Sequence, residues 1–223
     1  MAPLKRRPIL SENPTVGHLE EPCTGSSNPY KRPDRFTLKA KEEGYAARSV
    51  YKLEEIDRRF RLFRRGQRVV DLGCAPGSWS AYVIERVGES GRLVGVDLTE
   101  TALPGGTFLT RSVFDVTPEE LAEALGGRAD LVVSDMAPLT TGARDADHYA
   151  QIELAQRALD IATVILARGG AFVAKVFEGQ DAKAYELAVR KHFEVTKRVR
   201  PEAVRQNSRE FFLVSQGFAW RKI

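Results

Sequence analysis

Apolar positions along this chain alternate between two periods, and that alternation carries most of the structural information. Val50, Leu53, Ile56 and Phe60 recur at helical spacing and predict a helix from about Arg48 to Phe60. Val69-Val70-Asp71-Leu72 is a short apolar strand, followed by a helix from about Trp79 to Val87. Leu93-Val94-Gly95-Val96 predicts a second strand and Thr107 to Leu109 a weaker third. Pro118 to Leu125 reads as a helix with proline in its first turn. Leu131 to Ser134 is a fourth strand, and His148 to Ala167 a long helix stopped by Gly169-Gly170. Ala171 to Phe177 is a fifth strand, Ala182 to His192 a helix, and Val195 to Val199 with Glu210 to Gln216 an antiparallel closing pair.

Strands alternating with helices predict an α/β fold with a mostly parallel seven-stranded sheet, an antiparallel last strand and helices on both faces. Burial on both faces explains why the strands are nearly continuous runs of Val, Leu and Ile. No internal repeat is visible. Residues 1–29 hold five prolines with Gly, Ser and Asn and no periodicity, so a disordered or loosely packed tail is expected there. Residues 30–223 then form one domain: a basic segment and helix over 30–68, and the α/β core over 69–223.

Composition narrows the class. A chain of 223 residues, 43% hydrophobic, supports one such core. It has no apolar run of membrane-spanning length, and Met1–Leu10 lacks the apolar stretch of a signal peptide. Cys23 and Cys74 have neither metal-ligand spacing nor disulfide logic, and His18, His148 and His192 are scattered. A reducing cytoplasmic setting, a monomer and no metal site are expected.

The net charge is +4, but it is unevenly spread. Residues 1–68 carry 16 Lys/Arg against 9 Asp/Glu, residues 69–196 carry 11 against 19, and residues 197–223 carry 7 against 2. An acidic body with basic ends is an electrostatic footprint of a nucleic-acid binder. Solvated charge on ordinary helices gives the same pattern, so charge alone does not decide.

In an open α/β sheet, ligands bind beyond the carboxyl ends of the strands. The first strand ends in Asp71-Leu72-Gly73-Cys74-Ala75-Pro76-Gly77-Ser78-Trp79. The spacing G-x-x-x-G is not that of dinucleotide enzymes, and no P-loop lysine follows, so a diphosphate has no cradle. Asp97 closes the second strand, placed to accept hydrogen bonds from a ribose diol. With the acidic strand ends and the Pro-Gly-x-Trp turn, these features point to S-adenosylmethionine.

Four further polar residues fall where a reaction site belongs: Lys52 in the first helix, Asp135 after the fourth strand, Lys175 inside the apolar run Phe172–Phe177, and Glu210 at the start of the last strand. A lysine among such neighbours is rarely buried unpaired. From about Phe36 to Phe218 the sequence resembles the FtsJ-like ribose 2′-O-methyltransferases, and among them the bacterial enzymes of large-subunit ribosomal RNA. Ser49–Ile56, Val69–Trp79, Ser134–Pro138, Val173–Phe177 and Ser208–Glu210 carry that resemblance. It implies a Rossmann-like methyltransferase fold, S-adenosylmethionine as cofactor, and a uridine of large-subunit ribosomal RNA, met within a ribosomal particle, as substrate. The family's lysine–aspartate–lysine–glutamate tetrad falls on Lys52, Asp135, Lys175 and Glu210, and its cofactor contacts on Gly77, Trp79, Asp97 and Asp135. Asp71 and Gly73 belong to the same loop. Where the family places an aspartate against adenine, this chain has Ser112, with Asp115 three residues on. Leu139 stands where a polar residue is frequent.

Methyl transfer is an in-line displacement, so the accepting hydroxyl must be aligned and deprotonated. Lys175 is the expected base, held by Asp135 and Glu210, with Lys52 stabilising the developing alkoxide. The alternatives are structural ion pairs, transfer-RNA 2′-O-methylation and a non-catalytic RNA-binding module. Amine methylation needs a (D/N)-P-P-(Y/F) motif that Ser134–Pro138 does not supply, and Cys74 lies in the cofactor loop rather than at the reaction site. Phosphate contacts are expected from Lys31, Arg32, Arg35, Lys39 and Lys41, and from Arg198, Arg200, Arg205 and Arg209.

Overall fold

The computed structural model describes residues 34–139 and 141–219. The expected tail over 1–29, with His18 and Cys23, and the candidate contacts Lys31 and Arg32 lie outside the described residues.

The described chain orders as α1 (Arg35–Glu42), α2 (Val50–Phe60), β1 (Arg68–Leu72), α3 (Ser78–Val87), β2 (Arg92–Asp97), β3 (Thr107–Thr110), α4 (Pro118–Leu125), β4 (Ala129–Ser134), α5 (Arg144–Ile165), β5 (Leu166–Phe177), α6 (Ala182–Arg190), β6 (Phe193–Val199) and β7 (Glu210–Phe218). One seven-stranded sheet runs β3-β2-β1-β4-β5-β7-β6. β1, β2, β3, β4 and β5 pair in parallel, whereas β7 is antiparallel to both neighbours. The last strand therefore lies between β5 and β6 rather than at the sheet's edge, which sets the start of β7 beside the end of β5.

Alternation along the strands divides the core in two. Val70, Leu72, Val132, Phe172, Ala174, Val176, Phe211 and Leu213 pack under α4, α5 and α6. Val69, Leu131, Val133, Ala171, Val173, Phe212 and Val214 pack under α1, α2 and α3. Leu53 and Ile56 of α2 are completely buried in the second layer, and each contributes roughly 1.5–3 kcal/mol by leaving water.

The differences from the sequence reading that bear on the fold concern α1 and the two ends of α5. The basic stretch up to Lys41 contains a helix, α1, because the Asp34 carboxylate accepts from the backbone N–H groups of Phe36 and Thr37 and caps it. Its eight residues bury only Ala40, so there was no periodic stripe to see. α5 starts at Arg144, four residues before His148, where the Asp147 carboxylate receives the N–H groups of Thr141 and Gly142. α5 also ends at Ile165, and the chain enters β5 at Leu166 with Gly169 and Gly170 inside the strand. The sheet register shifts between Ala129 and Leu131, which absorbs the extra residues opposite the glycines.

Several side chains lock α2 against its surroundings. Asp57 accepts from the N–H groups of Leu62 and Phe63 with one oxygen and from the Tyr82 hydroxyl of α3 with the other. Arg48 donates to the Asp34 carboxylate and to the Ala203 carbonyl, and Glu55 accepts from the Glu202 N–H. The loop before β7 is thereby fastened to α2.

Candidate active site

Strand parity explains why the charged residues meet. Asp71 follows Val69 by two, Asp135 follows Val133, Lys175 follows Val173, and Glu210 precedes Phe212 by two. All four therefore lie on the α2 face of the sheet, at one end of the adjacent strands β1, β4, β5 and β7. Lys52, in the first turn of α2, closes over that row.

The contacts are close. Lys175 Nζ is 3.1 Å from Asp135 Oδ1 and also donates to the Asp135 backbone carbonyl. Lys52 Nζ is 2.6 Å from Glu210 Oε1 and 3.8 Å from Asp135 Oδ1. The four side chains are only 6–15% exposed. Burial at this depth makes the pairing obligatory, because an isolated ammonium there would be strongly disfavoured. All four residues expected from the sequence to form the tetrad come together.

Supporting groups had not been read from the sequence. Gln151 of α5 donates its amide to the Lys175 carbonyl at 3.0 Å and so fixes the backbone from which Lys175 springs. A signal existed: Gln151 is a polar residue on the same helical stripe as His148 and Ala155, and all three are buried. Phe212, opposite Lys175 in the β5–β7 register, lies 5.6 Å beneath the Lys52 ammonium. Arg200 donates to the carbonyls of Arg205, Gln206, Ser208 and Glu210 and shapes the loop that delivers Glu210.

Beside the row lies a cavity of about 360 Å³, lined by Gly73, Ala75, Asp97, Ser112, Phe114, Asp135 and Met136 among others. Gly73 has φ +82°, and a Cβ there would stand 2.7 Å from the Met136 side chain; only glycine fits that turn. Gly77, at φ +101°, turns the chain into α3. The Asp97 carboxylate accepts from the N–H groups of Ala75 and Thr99, so it braces both loops at the mouth.

Of the cofactor residues expected from the sequence, Gly73, Asp97, Ser112 and Asp135 line this cavity, whereas Asp71, Gly77, Trp79 and Asp115 do not. The Trp79 indole is buried, donates to the Ser49 carbonyl at 2.8 Å and packs 5.8 Å from the Phe212 ring, joining α3 to α2 behind the row. Asp115 is exposed, while Ser112 faces the cavity. Asp71 is fully buried: Oδ2 accepts from the Ser80 hydroxyl at 2.7 Å, and Oδ1 has no hydrogen-bond partner. The Ser78 and Thr101 hydroxyls are likewise buried without partners. The cavity itself presents Asp97, Ser112 and Asp135, a polar set that a polar ligand would satisfy. Burial, reinforced by Asp71 and Asp97, pushes the Cys74 thiol up to about 12, so it is no nucleophile at neutral pH.

The basic candidates divide. Arg35 pairs with Glu202, Lys39 with Glu43, Arg198 with Glu178 while lying over the Phe211 ring, and Arg200 with its own loop. The side chains of Lys41, Arg205 and Arg209 make no ion pair or hydrogen bond among the described residues. No helix of the described residues is long and apolar enough to cross a membrane.

Residues 45–218 match the family model of the FtsJ-like methyltransferases. The chain is 46% identical over 211 residues to the ribosomal RNA large subunit methyltransferase E of Sorangium cellulosum, covering 93% of each protein. It is 47% identical over 190 residues to the enzyme of the same name from Nitratidesulfovibrio vulgaris, covering 83% of this chain and 94% of that one. Among solved structures, one described as a ribosomal RNA methyltransferase of Plasmodium falciparum superposes with a TM-score of 0.70 at 23% identity, covering 79% of this chain and all of the other, a likeness of fold. The match across nearly the whole described chain, together with the assembled row of charges, shows that this protein belongs to the FtsJ-like methyltransferase family.

Proposed function

We propose that this protein transfers a methyl group from S-adenosylmethionine to a ribose 2′-hydroxyl of RNA, with large-subunit ribosomal RNA as the substrate. One observation carries the reading: two lysines and two carboxylates from α2, β4, β5 and β7 converge beside a glycine-walled cavity. The names of the relatives support the RNA class.

The donor fits the cavity by chemistry. Asp97 and Ser112 line the cavity and offer polar groups for a ribose diol and a base edge. When bound, the cofactor supplies an electrophilic methyl on a sulfonium sulfur. The chain's own residues do the rest. Asp135 holds the Lys175 amine through its carboxylate and its carbonyl, leaving the nitrogen's remaining position for the hydroxyl proton. Lys52, anchored by Glu210, provides positive charge where the alkoxide develops. The side chains of the row are largely shielded from water, and an in-line displacement requires the accepting oxygen to be held opposite the leaving bond. Among the described candidates, Lys41, Arg205 and Arg209 make no ion pair and are the cations that would meet phosphates.

The test is incubation with methyl-labelled S-adenosylmethionine and large-subunit ribosomal RNA or particles lacking the modification, followed by digestion to nucleosides. Label in a 2′-O-methyl nucleoside is expected. Label confined to a base would overturn the ribose assignment.

A further inference from the structure

The row of charges does not balance by itself. Asp71, Asp135 and Glu210 supply three carboxyl groups against the two ammonium groups of Lys52 and Lys175. Asp135 faces both lysines and Glu210 faces Lys52. Asp97, at the end of β2, is met by two backbone N–H groups. Asp71 alone among these carboxyls has neither a cation nor an amide donor: it is 0% exposed, has one neutral hydroxyl partner and carries one oxygen with none. The charged groups packed around it add to the same bias, and the Ser80 hydroxyl opposes it. β2 contributes Asp97, β4 leads to Asp135, the loop after β1 places the neutral Cys74 thiol nearby, and α3 offers only the Ser80 hydroxyl.

We infer that Asp71 is a proton-linked counter-charge for the methyl donor: it is neutral in the free protein and ionises when a sulfonium cation enters the adjoining cavity. This rests on the donor reading above. In the free protein the carboxylates of Asp97 and Asp135 oppose a charge on Asp71. Both line the cavity, so the net charge of +1 that S-adenosylmethionine brings there offsets that repulsion and favours the ionised form of Asp71. The Asp71 O–H bond breaks, its electron pair stays on the carboxylate and the proton leaves to solvent. Burial raises this carboxyl to about 7, against the relief given by Ser80, with Asp135 and Asp97 adding to the rise. The proton is therefore available for release near neutral pH.

The consequence is specific to charge. S-adenosylhomocysteine has the same adenosine, amine and carboxylate but an uncharged thioether, so it gives no reason for Asp71 to ionise. Product formation removes the positive charge, and Asp71 recovers its proton as the site resets.

Titration calorimetry of the full chain with each compound, in buffers of differing ionisation enthalpy, counts the protons released. At pH 6, S-adenosylmethionine should release about 0.9 proton and S-adenosylhomocysteine close to none, and at pH 8 the difference should fall to about 0.1. Affinity for S-adenosylmethionine relative to S-adenosylhomocysteine should rise about tenfold between those values. Asp71→Asn should abolish the release and the pH dependence, whereas proton loss from Lys52 or Lys175 would survive that change. The wild-type comparison of the two compounds stands even if the variant does not fold. Equal release with both compounds, or none with either, overturns the inference. If neither compound binds, the donor reading itself fails.

Discussion

The two halves of the site are built by opposite means. On the side of β1, β2 and β3 the site is shaped by backbone: Gly73 and Gly77 turn at positive φ, Gly73 lines the cavity, and Asp97 braces two loop N–H groups. On the side of β4, β5 and β7 the work is done by side chains in direct ion pairs, with Lys175, Asp135, Lys52 and Glu210 satisfying one another. The first half tolerates little change of shape, and the second little change of charge. Substitutions on the two sides should therefore separate cofactor binding from turnover.

The largest effect is expected on the side-chain half. Lys175→Ala should lower methyl transfer by at least ~10²-fold, the scale of a positioned acid–base group, while cofactor affinity stays within about twofold. A parallel loss of affinity would show that the two halves are not separable. On the backbone half, Gly73→Ala forces a Cβ to within 2.7 Å of Met136 at a φ that side chains rarely adopt. Cofactor affinity should fall about tenfold or more, with a stability loss of roughly 1–3 kcal/mol measurable by denaturant titration.

Asp71 sits between the halves and gives a stability signature. Its carboxyl is raised in the folded protein to about 7, so its favourable contribution is complete below its unfolded value and is lost as pH rises through about 7. Asp71→Asn should therefore flatten the decline of the free protein's stability between about pH 4 and 7, with an upper bound of about 4 kcal/mol for a shift of three pH units. Urea denaturation across that range measures it, and an unaltered slope would mean that Asp71 is ionised throughout.

The smallest effect concerns RNA. Neutralising Arg205 and Arg209 should each reduce the log–log salt slope of RNA binding by about 0.7–0.9, while neutralising Arg35, which is already paired with Glu202, should reduce it less. Equal changes would mean that the internal pairs open for phosphate.

Much of this was legible because the pattern and the physics agree. Val69, Val133 and Val173 announce buried strands, and a two-residue step from each lands on Asp71, Asp135 and Lys175. What stayed hidden depends on distant partners. Trp79 reads as a cofactor residue in a glycine-rich loop, and the sequence does not reveal that its N–H donates to the Ser49 carbonyl, thirty residues earlier. Arg200 reads as a phosphate contact, but four carbonyls of the following loop surround it. α1 depends on a single cap at Asp34 and one buried alanine, too little periodicity to detect. The insertion of β7 between β5 and β6 was likewise not fixed by any local signal.

The central claim is that Lys175 removes the ribose proton rather than merely contributing charge. The most direct measurement is the single-turnover methyl-transfer rate of Lys175→Arg beside the wild type, taken across a pH series with cofactor and RNA saturating. Arginine keeps the charge but does not deprotonate in proteins. The arginine variant should be at least ~10²-fold slower than the wild type at every pH of the series. A near-normal rate in the arginine variant would contradict the account.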